Sequence, residues 1–115
     1  MQYQASCHCG KNAIAFEGEI GEVLACNCSM CRRRGSLLWF TARENLKLLT
    51  PEENSSTYTF HKHVIRHRFC PHCGIHLYGE APGPQGKAMA AINMRCVDGL
   101  DLDAIPVRHY DGHSV

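Results

Sequence analysis

Three observations predict a mainly β chain with little helix. Apolar side chains come in short runs, several alternating with polar neighbours, the period that turns one face of a strand inward. Segments rich in glycine and proline separate those runs. Only one stretch, around Met30 to Arg34, suits a helix, and it is one or two turns long. With 115 residues, the chain is expected to form one domain over 1–115. A domain of this size buries roughly 65% of its unfolded surface, so its core is adequate but small.

The elements follow in order. Ile14 and Phe16 alternate with small or polar neighbours and then meet turn signals at Gly18 and Gly21. Gly35-Ser36 precedes the β-favouring run Leu37 to Thr41. Pro51 to Ser56 is polar and reads as a turn before the strand Thr57 to Phe60. Val64 to Phe69 alternates basic and apolar residues, and Ile75 to Tyr78 follows. Ala81 to Gly86 reads as a loop, because its two prolines and two glycines do not support a ladder. Met89 to Met94 is a further strand, Leu100 to Pro106 a turn, and Val107 to Tyr110 the last strand.

Charge and hydropathy exclude several classes. Twelve Lys and Arg against eleven Asp and Glu leave a net charge of +1, whereas a general nucleic-acid binder is markedly basic. Nucleic acid is therefore not an expected partner. The longest apolar runs, such as Leu37-Leu38-Trp39-Phe40, fall far short of the roughly 18 residues of a membrane span. The first ten residues are polar and carry no apolar export segment, so a cytoplasmic location is expected.

The chain holds eight cysteines and eight histidines. Seven of the cysteines fall into three tight clusters: Cys7-His8-Cys9, Cys26-Asn27-Cys28-Ser29-Met30-Cys31 and Cys70-Pro71-His72-Cys73. A disulfide framework would need an oxidising compartment, so thiolate metal binding is the favoured reading. Cys70-x-x-Cys73-Gly74 suits a tight turn in which glycine takes a left-handed conformation. Cys7-x-Cys9-Gly10 is a second half-site. Together the two pairs make a four-thiolate site of the kind structural zinc prefers, fastening the N-terminal arm to the middle of the chain. Cys26, Cys28 and Cys31 find no fourth ligand nearby. A three-ligand zinc keeps an open position, the pattern of a catalytic ion. The spacing alone leaves two alternatives open: a remote histidine (His61, His63 or His67) or another cysteine, Cys96 included, completing a second structural site. The spacings do not match ferredoxin-type or Rieske-type iron–sulfur runs.

The ordered segments Ser6 to Gly10, Cys26 to Gly35 and Arg68 to Leu77, with Ile92 to Leu102 and Pro106 to Tyr110, resemble the glutathione-dependent formaldehyde-activating enzyme family, which also includes centromere protein V. The resemblance covers nearly the whole chain and departs at Ala5, where the family more often has glycine. It implies an Mss4-like β-tent fold with short zinc-stapled sheets and two Zn2+ per chain. Cys7, Cys9, Cys70 and Cys73 would hold the structural ion, and Cys26, Cys28 and Cys31 the catalytic one, the same division that the spacing suggests. The implied activity is that of a carbon–sulfur lyase of the S-(hydroxymethyl)glutathione synthase type. Its partners would be a small thiol such as glutathione and a small aldehyde such as formaldehyde. The resemblance also suggests that glutathione disturbs or displaces the second zinc.

Other residues carry two readings each. Arg32, Arg33 and Arg34 either receive substrate carboxylates through bidentate bonds or form a solvated run offsetting an anionic zinc centre. His61, Lys62, His63, Arg66, His67 and Arg68 make a basic stretch. On a strand, Arg66 and Arg68 would share a face and offset the charge of the four-thiolate site. Trp39 and Phe40 read as core first and pocket wall second. Cys96 reads as a small buried apolar residue, and His109 and His113 are unassigned. Two function classes follow: a zinc-dependent enzyme joining or parting a thiol and an aldehyde, and a non-enzymatic zinc-stabilised binding module whose basic stretch contacts an acidic partner.

Overall fold

The computed structural model describes residues 1–112. Three strands, β1 (Gln2–Ser6), β2 (Ala13–Glu17) and β5 (Leu46–Leu48), form an antiparallel sheet in the order β1-β2-β5. The remaining seven described strands are β3 (Val23–Cys26), β4 (Leu38–Ala42), β6 (Ser56–Tyr58), β7 (Arg66–Phe69), β8 (His76–Pro82), β9 (Ala88–Asn93) and β10 (Val107–Tyr110). They form a second sheet in the order β10-β3-β4-β9-β8-β7-β6. Its pairings are antiparallel except that β10 runs parallel to β3, with Tyr110 opposite Cys26. The one α-helix among the described residues, α1 (Ser29–Arg34), has six residues. The fold is mainly β with very little helix, as the sequence predicts.

Alternation explains which faces meet. Ile14 and Phe16 of β2, Leu46 of β5, Val23 of β3, Leu77 of β8, Ala90 and Ile92 of β9, and Met94 just beyond β9 share one buried cluster. An aromatic seam carries that core across both sheets. Tyr3 lies on Phe16 at 5.5 Å between centroids, and Phe16 meets Trp39 of β4 at 5.6 Å. Gly18 makes room for the indole, because a Cβ there would stand 2.5 Å from Trp39 Cη2. Trp39 is thus a core residue, whereas Phe40, next on the pleat, faces outward and is exposed.

Four expectations are corrected. The strand predicted from Val64 begins only at Arg66, because His61 and His63 take left-handed conformations in a turn before it (φ 57° and 56°). The strand expected over Thr57 to Phe60 is β6, Ser56–Tyr58. The loop predicted from Ala81 starts at Gly83, since Pro82 sits at the end of β8, opposite Ala88, a strand-end position where a missing N–H is tolerated. Arg66 and Arg68 do not serve the sulfur clusters. Arg68 donates to Glu80 at 2.9 Å and to Glu52 at 2.8 Å, and Arg66 lies 3.8 Å from Glu80. Glu80 is buried on β8 and is also bonded by Arg43. Burial would raise its pKa, but the Arg43 and Arg68 hydrogen bonds outweigh this and hold it below the ordinary carboxylate value. No described helix is long and apolar enough to cross a membrane.

Candidate metal centres

All eight cysteines are free thiols in the described structure, and seven gather into two groups that could each hold a metal ion. In the first, one ligand atom from each of Cys7, Cys9, Cys70 and Cys73 lies within 4.8 Å of the others. Cys9 Sγ stands 3.7 Å from Cys7 Sγ and 3.6 Å from Cys70 Sγ. Four sulfurs placed tetrahedrally at a Zn–S distance of about 2.3 Å would lie about 3.8 Å apart, so the cluster already has the dimensions of such a site.

Each half of this cluster is a turn between strands. After β1 the chain folds back so that Cys7 N–H donates to Asn12 O at 3.0 Å and Asn12 N–H reaches Cys7 Sγ at 3.4 Å. Between β7 and β8, Gly74 N–H donates to Cys70 O at 2.7 Å and Cys70 N–H to Ile75 O at 2.9 Å. Gly74 has φ 81°, the left-handed conformation read from the sequence. Burial pushes the Cys73 thiol up, yet the N–H groups of Cys9 and Ile75 prevail and bring it down to about 6. Cys7 and Cys70 are buried, so this group is built into the protein.

The second group, Cys26, Cys28 and Cys31, sits where β3 ends and α1 begins. Cys28 is the N-cap of α1, extended at φ −63° and ψ 166°, and its sulfur accepts from Cys31 N at 3.4 Å. Cys28 N–H in turn reaches Cys26 Sγ at 3.4 Å. One helical turn separates Cys28 from Cys31 and places them on one side. Gly35, at φ 74°, ends the helix by donating to Cys31 O at 2.8 Å. All three cysteines are half-buried, whereas the first group combines the buried Cys7 and Cys70 with the half-buried Cys73 and the exposed Cys9. Burial raises the Cys31 thiol, with the Cys28 contact adding to it, to about 12. For Cys28 burial acts upward too, but the Cys31 N–H and thiol outweigh it, so its pKa falls below the ordinary value. Unequal thiols packed this closely favour sharing a cation.

No fourth metal-ligating side chain joins this trio among the described residues. His61, His63 and His67 are not in it, and Cys96 lies elsewhere, its thiol donating to His76 O at 3.6 Å. The backbone of the last strand closes one side. Asn27 N–H donates to Tyr110 O at 3.2 Å, and a Cβ on Gly112 would stand 2.6 Å from Cys26 Sγ. His113 lies outside the described residues.

A groove of about 570 Å³ opens beside the trio, lined by Cys26, Cys31, Arg32, Arg95, Asp103 and His109 among others. Arg95 and His109 were not identified from the sequence as groove residues. They arrive through the parallel pairing of β10 with β3 and the turn after β9, and no local motif announces either contact. The three arginines separate in space. Arg32 faces this groove, Arg33 turns back to donate to Ser29 O at 3.0 Å, and Arg34 lies half-buried on the opposite flank.

A family model described as glutathione-dependent formaldehyde-activating enzyme matches residues 2–110. The chain belongs to that family. Among solved structures, a crystal structure of a Rhodobacter sphaeroides protein, a structural genomics target, shares the fold at TM-score 0.77 and 26% identity. The match covers 91% of this chain and 99% of that one. Membership in the formaldehyde-activating family agrees with the two sulfur groups as metal-ion sites and with a glutathione and formaldehyde theme.

Proposed function

We propose that the protein is a zinc-dependent carbon–sulfur lyase, working reversibly on a thiol–aldehyde adduct of the glutathione and formaldehyde type. In this reading Cys7, Cys9, Cys70 and Cys73 hold a structural zinc, and Cys26, Cys28 and Cys31 hold a second. The observation that carries it is the contrast between a complete set of four sulfurs and a set of three that no fourth metal-ligating side chain joins among the described residues, beside a groove lined by Arg32 and Arg95.

Three thiolates outweigh two positive charges, so zinc held by the trio is a weak Lewis acid, and what it would supply is a lowered pKa for an incoming thiol. The protein's own residues do the rest. Cys26, Cys28 and Cys31 fix the place where sulfur is received. The groove confines the small aldehyde beside it. From the run Arg32, Arg33 and Arg34, one guanidinium is offered to a carboxylate of the substrate. In the synthetic direction the thiol gives up its proton and a C–S bond forms. The carbonyl π pair moves to oxygen, and that oxygen takes up a proton. The addition is redox-neutral and needs no other co-substrate.

The alternative of a binding module with a basic face is less well supported, because Arg66 and Arg68 are already engaged by Glu80 and Glu52. The deciding experiment combines two readouts. Zinc per chain is measured before and after excess glutathione, and exchange between free and thiol-bound 13C-formaldehyde is followed by NMR. Two zincs, one of them exchanging or lost on glutathione addition, with accelerated carbon exchange that Cys28→Ser abolishes, is the expected result. One zinc indifferent to glutathione, with exchange at the uncatalysed rate, would overturn the proposal.

A further inference from the structure

Half-buried arginines in this protein are treated unequally. Arg43 and Arg68 each receive the buried carboxylate of Glu80. Arg34, also half-buried, has no carboxylate partner among the described residues. The one hydrogen bond of its guanidinium among the described residues is from Nη1 to His67 Nδ1, at 3.2 Å. That bond uses one corner of the guanidinium and leaves Nε and Nη2 free, the edge that meets a carboxylate side-on with two parallel hydrogen bonds.

The imidazoles behind Arg34 explain how it stays both fixed and charged. His67 stacks on Phe60 with 5.3 Å between centroids, and His76 lies 5.9 Å beyond it. Each is more than nine-tenths buried, and His67 Nε2 and both His76 ring nitrogens have no partner in the described structure. Burial, with Arg34 adding to it, holds His67 at about 4 and His76 at about 3, so both are neutral near pH 7. A carboxylate partner would orient Arg34 and cancel its charge. A neutral imidazole orients it and leaves the charge available. Arg34 and His76 line a groove of about 500 Å³ that is otherwise largely apolar, with Met30, Tyr58, Phe69 and Ile75. The charges of Cys28 and Cys31 act on the same guanidinium, so it lies within electrostatic reach of the sulfur-receiving site.

We propose that Arg34, positioned by His67 and His76, receives a carboxylate of the thiol substrate, so that the substrate lies across α1 toward the groove of His76 and not toward Arg32. This rests on the thiol-binding reading above and assigns one arginine of the three. Arg34 is the binding residue. His67 and His76 are positioning residues acting through it.

The test uses the zinc-loaded protein and two thiols that differ by one carboxylate, N-acetylcysteine and N-acetylcysteamine, with glutathione as a third ligand and binding followed by calorimetry. The wild type is expected to prefer N-acetylcysteine by about tenfold or more, the size of one charge-assisted hydrogen-bonded contact. Arg34→Gln should erase that preference while leaving zinc content and N-acetylcysteamine affinity unchanged. Arg34→Lys should restore part of it, and Arg32→Gln should keep all of it. In His76→Ala the preference should shrink with zinc content intact. If Arg34→Gln keeps the preference, or Arg32→Gln loses it, this assignment fails while the thiol-binding reading stands. If none of the three thiols binds, that reading fails and this one with it.

Discussion

Cys9 and Cys70, sixty-one positions apart, bring their sulfurs to within 3.6 Å of each other. One belongs to the turn after β1, in the three-stranded sheet, and the other to the turn after β7, in the seven-stranded sheet. The contact ties the two sheets together at one end, and the Tyr3–Phe16–Trp39 seam joins them through the core.

Breaking that tie should unfold the protein. Structural zinc contributes on the order of 10 kcal/mol in small zinc-dependent units, comparable with the whole stability of a domain, about 5–15 kcal/mol. Cys70→Ala is expected to lose a zinc and its cooperative thermal transition together, as read by elemental analysis and circular dichroism. A native melting temperature in that variant would show that the sheets hold without the metal.

Cys28→Ser should separate function from folding. Cys28 both belongs to the sulfur trio and caps α1 by accepting from Cys31 N. Serine is a strong N-cap in its own right, so the helix should persist while the second zinc and thiol binding disappear. The measurements are zinc stoichiometry, which should fall from two to one, and a melting temperature within a few degrees of wild type.

Glu80 is the buried carboxylate shared by Arg43 and Arg68, and Arg68 reaches the more exposed Glu52 as well. Glu80→Ala leaves Arg43 without a carboxylate and Arg68 with Glu52 alone, and should cost about 3 kcal/mol in urea unfolding. Because the folded pKa of Glu80 lies below its ordinary value of 4.5, its contribution is complete above that value. The contribution is lost as pH falls through the lower, folded value. The stability difference between wild type and Glu80→Ala should therefore be flat at neutral pH and shrink only in strong acid.

His67 should act in the same direction at higher pH. Its folded pKa, about 4, lies below the ordinary 6.5, so the unfolded chain takes up a proton first and stability falls as pH drops below 6.5. His67→Gln keeps an acceptor for Arg34 but cannot titrate. Between about pH 7 and pH 5.5 the variant's urea midpoint should move less than the wild type's. Equal slopes would show that His67 is not held neutral by the fold.

The parts of this structure legible in the sequence are those set by local chemistry. Val107 to Tyr110 forms the strand that its residues predict, and Leu38–Ala42 and Ala88–Asn93 lie within one residue of their predicted bounds. The cysteine clusters divide as their spacing suggests. What escaped depends on pairing at a distance. Gln2–Ser6 buries only Ala5 and is a strand because it pairs with β2. Val23–Cys26 is held between Leu38 on one side and the β10 backbone on the other. Leu46–Leu48 is three residues at a sheet edge, too short for a period to show. Arg66 and Arg68 share a face as expected, but the carboxylate that claims them lies on the neighbouring strand.

The long separation between the halves of the first metal site also matters during synthesis. At roughly 5–20 residues per second, a ribosome makes Cys70 about 3–12 s after Cys9. Late in that interval the nascent chain carries Cys7 and Cys9 without Cys70 and Cys73, alongside the complete trio Cys26, Cys28 and Cys31. A zinc ion that bridges the first pair to the trio must be surrendered before Cys70 and Cys73 can complete their site. The speed of metal hand-over, and not the affinity of either finished site, then governs how soon a new chain becomes native. Refolding with zinc present from the first moment should accordingly lag behind refolding in which zinc is supplied after collapse, as followed by Trp39 fluorescence.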